Sequence, residues 1–284
     1  MTAPAAPAVS ASLDDLRNRL RALGRVVVAF SGGADSAFLA WVANDTLGPG
    51  RALAVTAVSP SLPAAERAES ADLAAEWGLR WCEVETDELA DAAYTRNDAD
   101  RCYWCKDALL RAAGPLAITE DATVVLGVNL DDLGDHRPGQ RAASERGAAF
   151  PLVDAGFGKS DVRAWSRRLG LRTWDKPAAA CLASRLPYGT PVTLGRLAAV
   201  EQAEAALRSL GFRELRVRHY RDTARLEVPL DRLTDVVALR EEVVAAVRAA
   251  GYRYVTLDLE GLRSGNLNAA LGLTPGRGSA EPPA

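Results

Sequence analysis

Short apolar, β-branched runs alternate with stretches of helical period through the first two thirds of the chain. "RVVVAF" (25–30), "RALAVTAVS" (51–59), "LRWCEVET" (79–86) and "TVVLGVN" (123–129) have the composition of strands. The first is apolar on both faces, as strands buried in a parallel sheet are. Between them, "AFLAWVAND" (37–45), "PAAERAESADLAAEWG" (63–78) and "YWCKDALLRAA" (103–113) read as helices, with Pro63 opening the second. Strand–helix alternation predicts βαβ units, and so an α/β fold with a doubly wound parallel sheet over residues 12–185. Right-handed crossovers bring the loops that follow the strands to one edge, where ligands bind.

The pattern changes after residue 190. "LGRLAAVEQAEAALRSLG" (194–211) reads as a helix stopped by Gly211. "ELRVRHY" (214–220) and "ARLEV" (224–228) alternate as short strands, "LTDVVALREEVVAAVRAAG" (233–251) is a second helix, and "YVTLDLE" (254–260) is a last strand. This predicts a smaller α+β domain over 190–270. The Pro-, Ala- and Gly-rich stretch 175–193 marks the junction. Residues 1–11 and 274–284 read as flexible tails.

Composition narrows the function classes. With 284 residues, 48% of them hydrophobic, the chain can bury one large or two modest cores. A net charge of −3 gives no basic field, so nucleic acid is not an expected partner. No apolar run reaches the roughly 18 residues of a membrane span, and the N-terminus lacks a signal peptide's charged start and apolar centre. A cytoplasmic protein is expected, in which Cys82, Cys102, Cys105 and Cys181 point to metal binding or catalysis rather than disulfides. The positive charge is nearly all arginine; the lysines are Lys106, Lys159 and Lys176, two of them beside cysteine motifs. Genomic composition explains the bias itself.

"SGGADS" (31–36) joins the first strand to the first βα helix. Gly32 and Gly33 let backbone amides approach an anion, and the helix N-terminus adds unpaired donors and partial positive charge. Ser31 and Ser36 can donate to phosphate oxygens. Asp35 is out of place against an anion alone, which suggests a Mg²⁺ that carries the phosphates. An ordinary strand-to-helix turn would need only part of this string. Downstream, Gly127 is placed to let the backbone pass close to an adenosine. Asn129, Asp131, Asp132 and Asp135 cluster oxygens toward a metal or a substrate hydroxyl, or else form a solvated acidic loop.

Cys102 and Cys105 stand three apart at a helix start, where the helix end, Arg101 and Lys106 favour thiolate. They could share a metal or form a redox pair, although a structural zinc site would need a second matching pair. Cys181 lies in "KPAAACLASRLPYG" near Lys176, Ser184 and Arg185, which can depress its pKa or hold an anionic substrate. It also reads as a small buried residue among alanines. Cys82 alternates as a core strand residue. Three candidate thiols can hold an iron–sulfur cubane with one iron left open. On the strand 214–220, Arg216 and Arg218, with Arg225 from the next strand, share one face suited to phosphate and carboxylate, or simply form a charged surface.

"SGGADS" resembles the PP-loop of the ATP pyrophosphatases, enzymes that adenylate a substrate and release pyrophosphate. Together with "RCYWCK", "GVNLDDLGDHRPG", "CLASRLPYG" and "LDLEGLRSGNLN", it makes residues 12–270 resemble the LarE family of sulfur transferases. These insert sulfur into the pyridinium mononucleotide precursor of the nickel-pincer cofactor of lactate racemase. The resemblance implies ATP and Mg²⁺ at Ser31, Gly32, Gly33, Asp35 and Ser36, with Gly127, Asn129 and Asp131 beside them. It implies sulfur chemistry at Cys181, with Cys102 and Cys105 placing the chain among members thought to carry a [4Fe-4S] cluster. It also implies substrate contacts at Ser184, Arg185, Arg216, Arg218 and Arg263 (Ser264 adjoining), and Mg²⁺ contacts at Glu204, Glu227 and Asp235. A small-molecule nucleotide substrate and a homo-oligomer follow from the same source. A tRNA thiolase, an amide-forming ligase using ammonia and a nucleotide sensor without chemistry are the rival readings.

Overall fold

A computed structural model describes residues 10–133, 138–177 and 180–263. In chain order the elements are α1 (Leu13–Leu23), β1 (Val26–Ala29), α2 (Ala34–Leu47), β2 (Ala52–Val58), α3 (Ala64–Glu76), β3 (Trp81–Glu85), α4 (Ala92–Thr95) and α5 (Arg101–Thr119). They continue with β4 (Thr123–Leu126), α6 (Pro138–Glu145), α7 (Pro151–Asp154), α8 (Lys159–Arg168), α9 (Leu194–Ser209), β5 (Arg216–Tyr220), β6 (Thr223–Glu227), α10 (Leu233–Ala238), α11 (Arg240–Ala249) and β7 (Tyr254–Leu257). The chain divides into two compact units, Met1–Glu88 with Cys102–Ala179, and Leu89–Arg101 with Ala180–Ala284. The predicted tails, Asp135 and Ser264 lie wholly or largely outside the described residues.

The first unit is built on a four-stranded sheet in the order β3-β2-β1-β4, every pairing parallel. The α/β fold predicted from strand–helix alternation is therefore the observed one. β1 is apolar throughout because both its faces are covered. Val26 and Val28 join a core with Phe38, Leu39 and Val42 of α2 and Leu16 and Leu20 of α1. Val27 points the other way, against Leu53, Val55 and Ala117. α2 is buried nearly all round, which fixes the direction in which its N-terminus points. Cys82, on β3, is half-buried against the second cluster, and burial pushes its thiol pKa up, as suits an inert core cysteine.

The second unit carries a three-stranded sheet in the order β5-β6-β7, with β5 antiparallel and β7 parallel to β6. Val217, Leu226, Ala203, Leu207, Phe212, Val243 and Val247 fill its core. Thr193 caps α9, its hydroxyl accepting from the Arg196 amide, and Gly211 at φ +94° follows the helix end. The predicted helix 233–251 is two helices, because Leu239 takes φ −97°, ψ 27° and interrupts the ladder. Among the described residues no helix is long and apolar enough to cross a membrane.

Candidate functional site

β1 delivers the chain to Ser31, and the turn that follows is held by one hydroxyl. Ser36 Oγ accepts from the Ser31 amide at 3.2 Å, lies 3.0 Å from Ser31 Oγ and donates to the Gly33 carbonyl at 3.1 Å. Gly32 sits at φ +66°, and a Cβ there would fall 2.7 Å from Ser70 Oγ on α3. Glycine is needed on both counts, conformation and space. Among the described residues no side chain caps α2 at Gly33. Its first-turn amides are thus left for an outside acceptor, the donor arrangement of an anion site.

Gly127 is needed for a close approach of backbone. A Cβ on it would lie 2.7 Å from the Ser36 nitrogen and 2.8 Å from Ser36 Cα. It lets the exit of β4 run against the first turn of α2. Two residues on, Asn129 Nδ2 donates to Asp35 Oδ1 at 3.0 Å. Burial raises the Asp35 pKa above its usual value; the Asn129 hydrogen bond opposes this, Asp132 adds to it, and Lys159 and Arg163 lower it.

The acidic loop is spoken for by α8, a helix not anticipated from sequence. Asp131 Oδ2 accepts from the Lys159 amide at 2.5 Å, so its charge sits at the α8 N-terminus, where the helix dipole favours it. Asp132 accepts from the Asn129 amide at 3.3 Å and pairs with Lys159 Nζ at 3.3 Å. Lys176, named from sequence for its place beside Cys181, reaches the turn after β1. Its Nζ donates to the Gly32 carbonyl at 3.1 Å and to Glu66 Oε2 at 2.8 Å. Neither Lys176 nor Glu66 has a spacing that predicts this; only the scarcity of lysine pointed at the former.

Cys102 and Cys105 lie in the first two turns of α5, exposed and half-buried respectively. α6 packs on this end: a Cβ on Gly139 would come 3.0 Å from the Cys102 carbonyl oxygen. Tyr103 donates to Glu145 from the same segment. Thiols three apart on a helix are suitable donors for iron. Cys181 belongs to the other unit, and among the described residues no three His, Cys, Asp or Glu side chains form a metal-holding group.

In the second unit Cys181 precedes a 3-10 turn, Leu182–Arg185, that is tied down heavily. Ser184 Oγ donates to the Cys181 carbonyl at 2.7 Å, and Arg185 Nη1 donates to the carbonyls of Ala180 at 2.7 Å and Cys181 at 3.2 Å. The other side of the Arg185 guanidinium grips Glu204, at 2.8 and 3.2 Å. Glu204 is wholly buried and also accepts from Arg208 Nη2 at 2.9 Å and the Val217 amide at 3.1 Å. Arg185 thus fastens the Cys181 turn to α9 and β5, with its donors already engaged.

Arg216 and Arg218 alternate along β5, and Arg225 stands opposite Arg218 in the antiparallel register. Arg218 donates to the Ser184 carbonyl and to Glu227, each at 2.9 Å, and Arg225 donates to Glu227 at 3.0 Å. Arg218 and Arg225 share the buried Glu227, and Arg225 also pairs with Asp258 at 3.5 Å, so both guanidinium groups already have carboxylate partners. Arg216 donates to the Arg263 carbonyl at 3.0 Å, and burial lowers its pKa. Arg263 itself pairs with Glu260, and Asp235 with Arg232. For Glu204 or Glu227 to ligate a metal, an arginine would have to leave it.

No protein-family model matches the chain. It is 44% identical over 267 residues to an uncharacterised protein of Synechocystis, covering 93% of this chain and 99% of that one. An uncharacterised protein of Methanocaldococcus jannaschii is 26% identical over 241 residues, 84% of this chain and 91% of that one. The pyridinium-3,5-bisthiocarboxylic acid mononucleotide synthase of Lactiplantibacillus plantarum is 40% identical over 253 residues, 89% of this chain and 92% of that one. With that identity over nearly the whole of both chains, the protein belongs to the LarE family of pyridinium-3,5-bisthiocarboxylic acid mononucleotide synthases.

Proposed function

We propose that the protein is an ATP-dependent sulfur transferase. It converts a carboxylate of a pyridinium dicarboxylate mononucleotide to a thiocarboxylate for the nickel-pincer cofactor. A carboxylate is a poor electrophile, so it is first adenylated. The substrate oxygen attacks the α-phosphorus of ATP, the bond to the β-phosphate breaks and pyrophosphate leaves. A sulfur nucleophile then attacks the acyl carbon and AMP leaves with the bonding electrons.

Each half of the chemistry has residues suited to it. The uncapped N-terminus of α2, with the hydroxyls of Ser31 and Ser36, would cradle the phosphates. Asp35, oriented by Asn129, would hold Mg²⁺, which offsets charge as pyrophosphate departs. Arg216, Arg218 and Arg225 would take the substrate's anionic groups. Cys181, on a turn immobilised by Ser184 and Arg185, would present the sulfur. Cys102 and Cys105 would serve a [4Fe-4S] centre that resupplies sulfide, and a cytoplasmic homo-oligomer is the expected working form.

The observation that carries this reading is the family relationship, joined to an α2 N-terminus left open behind a serine-held turn. The test follows pyrophosphate and thiocarboxylate together in anaerobically purified protein, with iron and sulfide counted. One pyrophosphate per activated carboxylate is expected, and Cys181→Ala should keep pyrophosphate release while losing sulfur transfer. If Cys181 gives its own sulfur, the chain loses about one H₂S in mass and turns over once. Ammonia-dependent product from Cys181→Ala, or sulfur delivered to tRNA, would overturn the proposal.

A further inference from the structure

"SGGADS" lacks the lysine that a Walker-type phosphate loop carries within its own string. The fold brings one from elsewhere. Lys176 Nζ lies 3.1 Å from the carbonyl oxygen of Gly32, the residue at the centre of the turn, across a sequence separation of 144. Its second partner, Glu66 Oε2 at 2.8 Å, comes from the first turns of α3. The side chain is 16% exposed, so this is no surface lysine resting on its nearest carboxylate.

The backbone that carries it is also fixed. Arg163 of α8 donates to the carbonyls of Trp174 at 3.1 Å and Lys176 at 3.0 Å. α8 is the same helix whose N-terminus receives Asp131. The root of the lysine is therefore pinned, while its four-carbon stem leaves the ammonium free to swing. α3 contributes too: Ser70, whose hydroxyl donates to the Glu66 carbonyl at 2.9 Å, is the residue against which Gly32 packs.

Resting on the proposed ATP reading, we infer that Lys176 is the phosphate-binding lysine of this turn, parked on Gly32 and Glu66 until nucleotide arrives. A triphosphate offers several anionic oxygens at the cradle, against one carboxylate on Glu66. The ammonium transfers from Glu66 to the β- and γ-phosphate oxygens, and there it neutralises charge as pyrophosphate leaves. AMP, which lacks those two groups, gains nothing from it. Glu66 is a holding partner and takes no part in binding phosphate.

Binding of the α,β-methylene analogue of ATP, with Mg²⁺, and of AMP to the full chain tests this by calorimetry. Lys176→Gln should weaken the ATP analogue about 10- to 100-fold, the range for a charge-assisted hydrogen bond, and leave AMP within about twofold. Glu66→Gln should leave the analogue as tight as in the wild type or tighter, because it frees the ammonium. If Lys176 only pins α3 to the turn, Lys176→Gln weakens both ligands equally and Glu66→Gln reproduces that loss; either result overturns the inference. Should Lys176→Gln not fold, Lys176→Arg and Glu66→Gln carry the test. Retained analogue binding in both supports the inference, and lost binding in Glu66→Gln refutes it. A wild type that binds the ATP analogue but releases no pyrophosphate with the pyridinium substrate would defeat the proposed reaction and leave the lysine's role standing.

Discussion

Asp35 carries a cost in stability that its proposed role with Mg²⁺ would explain. Burial raises its pKa, so in the folded protein the charged form is disfavoured. The sign follows from linkage. Folding gains from this group when it is protonated, and loses that gain as pH rises through its raised folded-state pKa. Asp35→Asn keeps the shape and the acceptor for Asn129. It should melt higher than the wild type near pH 7, with the gap closing as pH falls toward the ordinary value of 3.8. Melting curves across pH read this, and pyrophosphate release should be lost in the same variant. Gly127 makes the opposite kind of prediction. A methyl there meets the Ser36 nitrogen at 2.7 Å, so Gly127→Ala should cost about 1–3 kcal/mol of stability and loosen nucleotide binding. Gly32, Gly33, Asp35 and Ser36 could be read as a group because a strand-to-helix turn is local in sequence. Lys176 was not, since nothing in a linear string says which distant ammonium will arrive beside it.

At the scale of elements, periodicity located the sheet but overran its ends. The run 123–129 stops being strand at Leu126, where the chain turns to pass the N-terminus of α2. α8 went unread because seven of its ten residues, Lys159–Arg168, are charged or serine, and its apolar contribution, Val162, Ala164 and Trp165, is small. Glu204 joins α9, β5 and the Cys181 turn. A buried carboxylate gripped by Arg185 and Arg208 leaves uncompensated charge when removed. Glu204→Ala should therefore destabilise the protein by about 3–5 kcal/mol in urea unfolding. Sulfur transfer should fall more than pyrophosphate release, because the turn that presents Cys181 loses its anchor.

The change of pattern near residue 190 gives no sign of the interleaving of the two compact units. Residues 89–101 belong to the second unit although the first resumes at Cys102. The reason is Asn97, whose short polar side chain gives no periodic signal. It is fully buried at φ 61°. Its Nδ2 donates to the carbonyls of Pro187 at 2.8 Å and Thr190 at 2.9 Å, and its Oδ1 accepts from Arg101. Asn97→Ala would orphan these groups and force alanine into a left-handed conformation, an expected loss of about 2–4 kcal/mol in equilibrium unfolding.

That segment also inverts the order in which the molecule can be made. Asn97 leaves the ribosome 90 residues ahead of Pro187. At roughly 5–20 residues per second, its amide waits about 5–20 s for its acceptors to be synthesised. By then β1, β2 and β3 of the first unit have long been available to pair. A piece of the second unit is thus a guest in the nascent first one, and finds its place only when the chain returns for it.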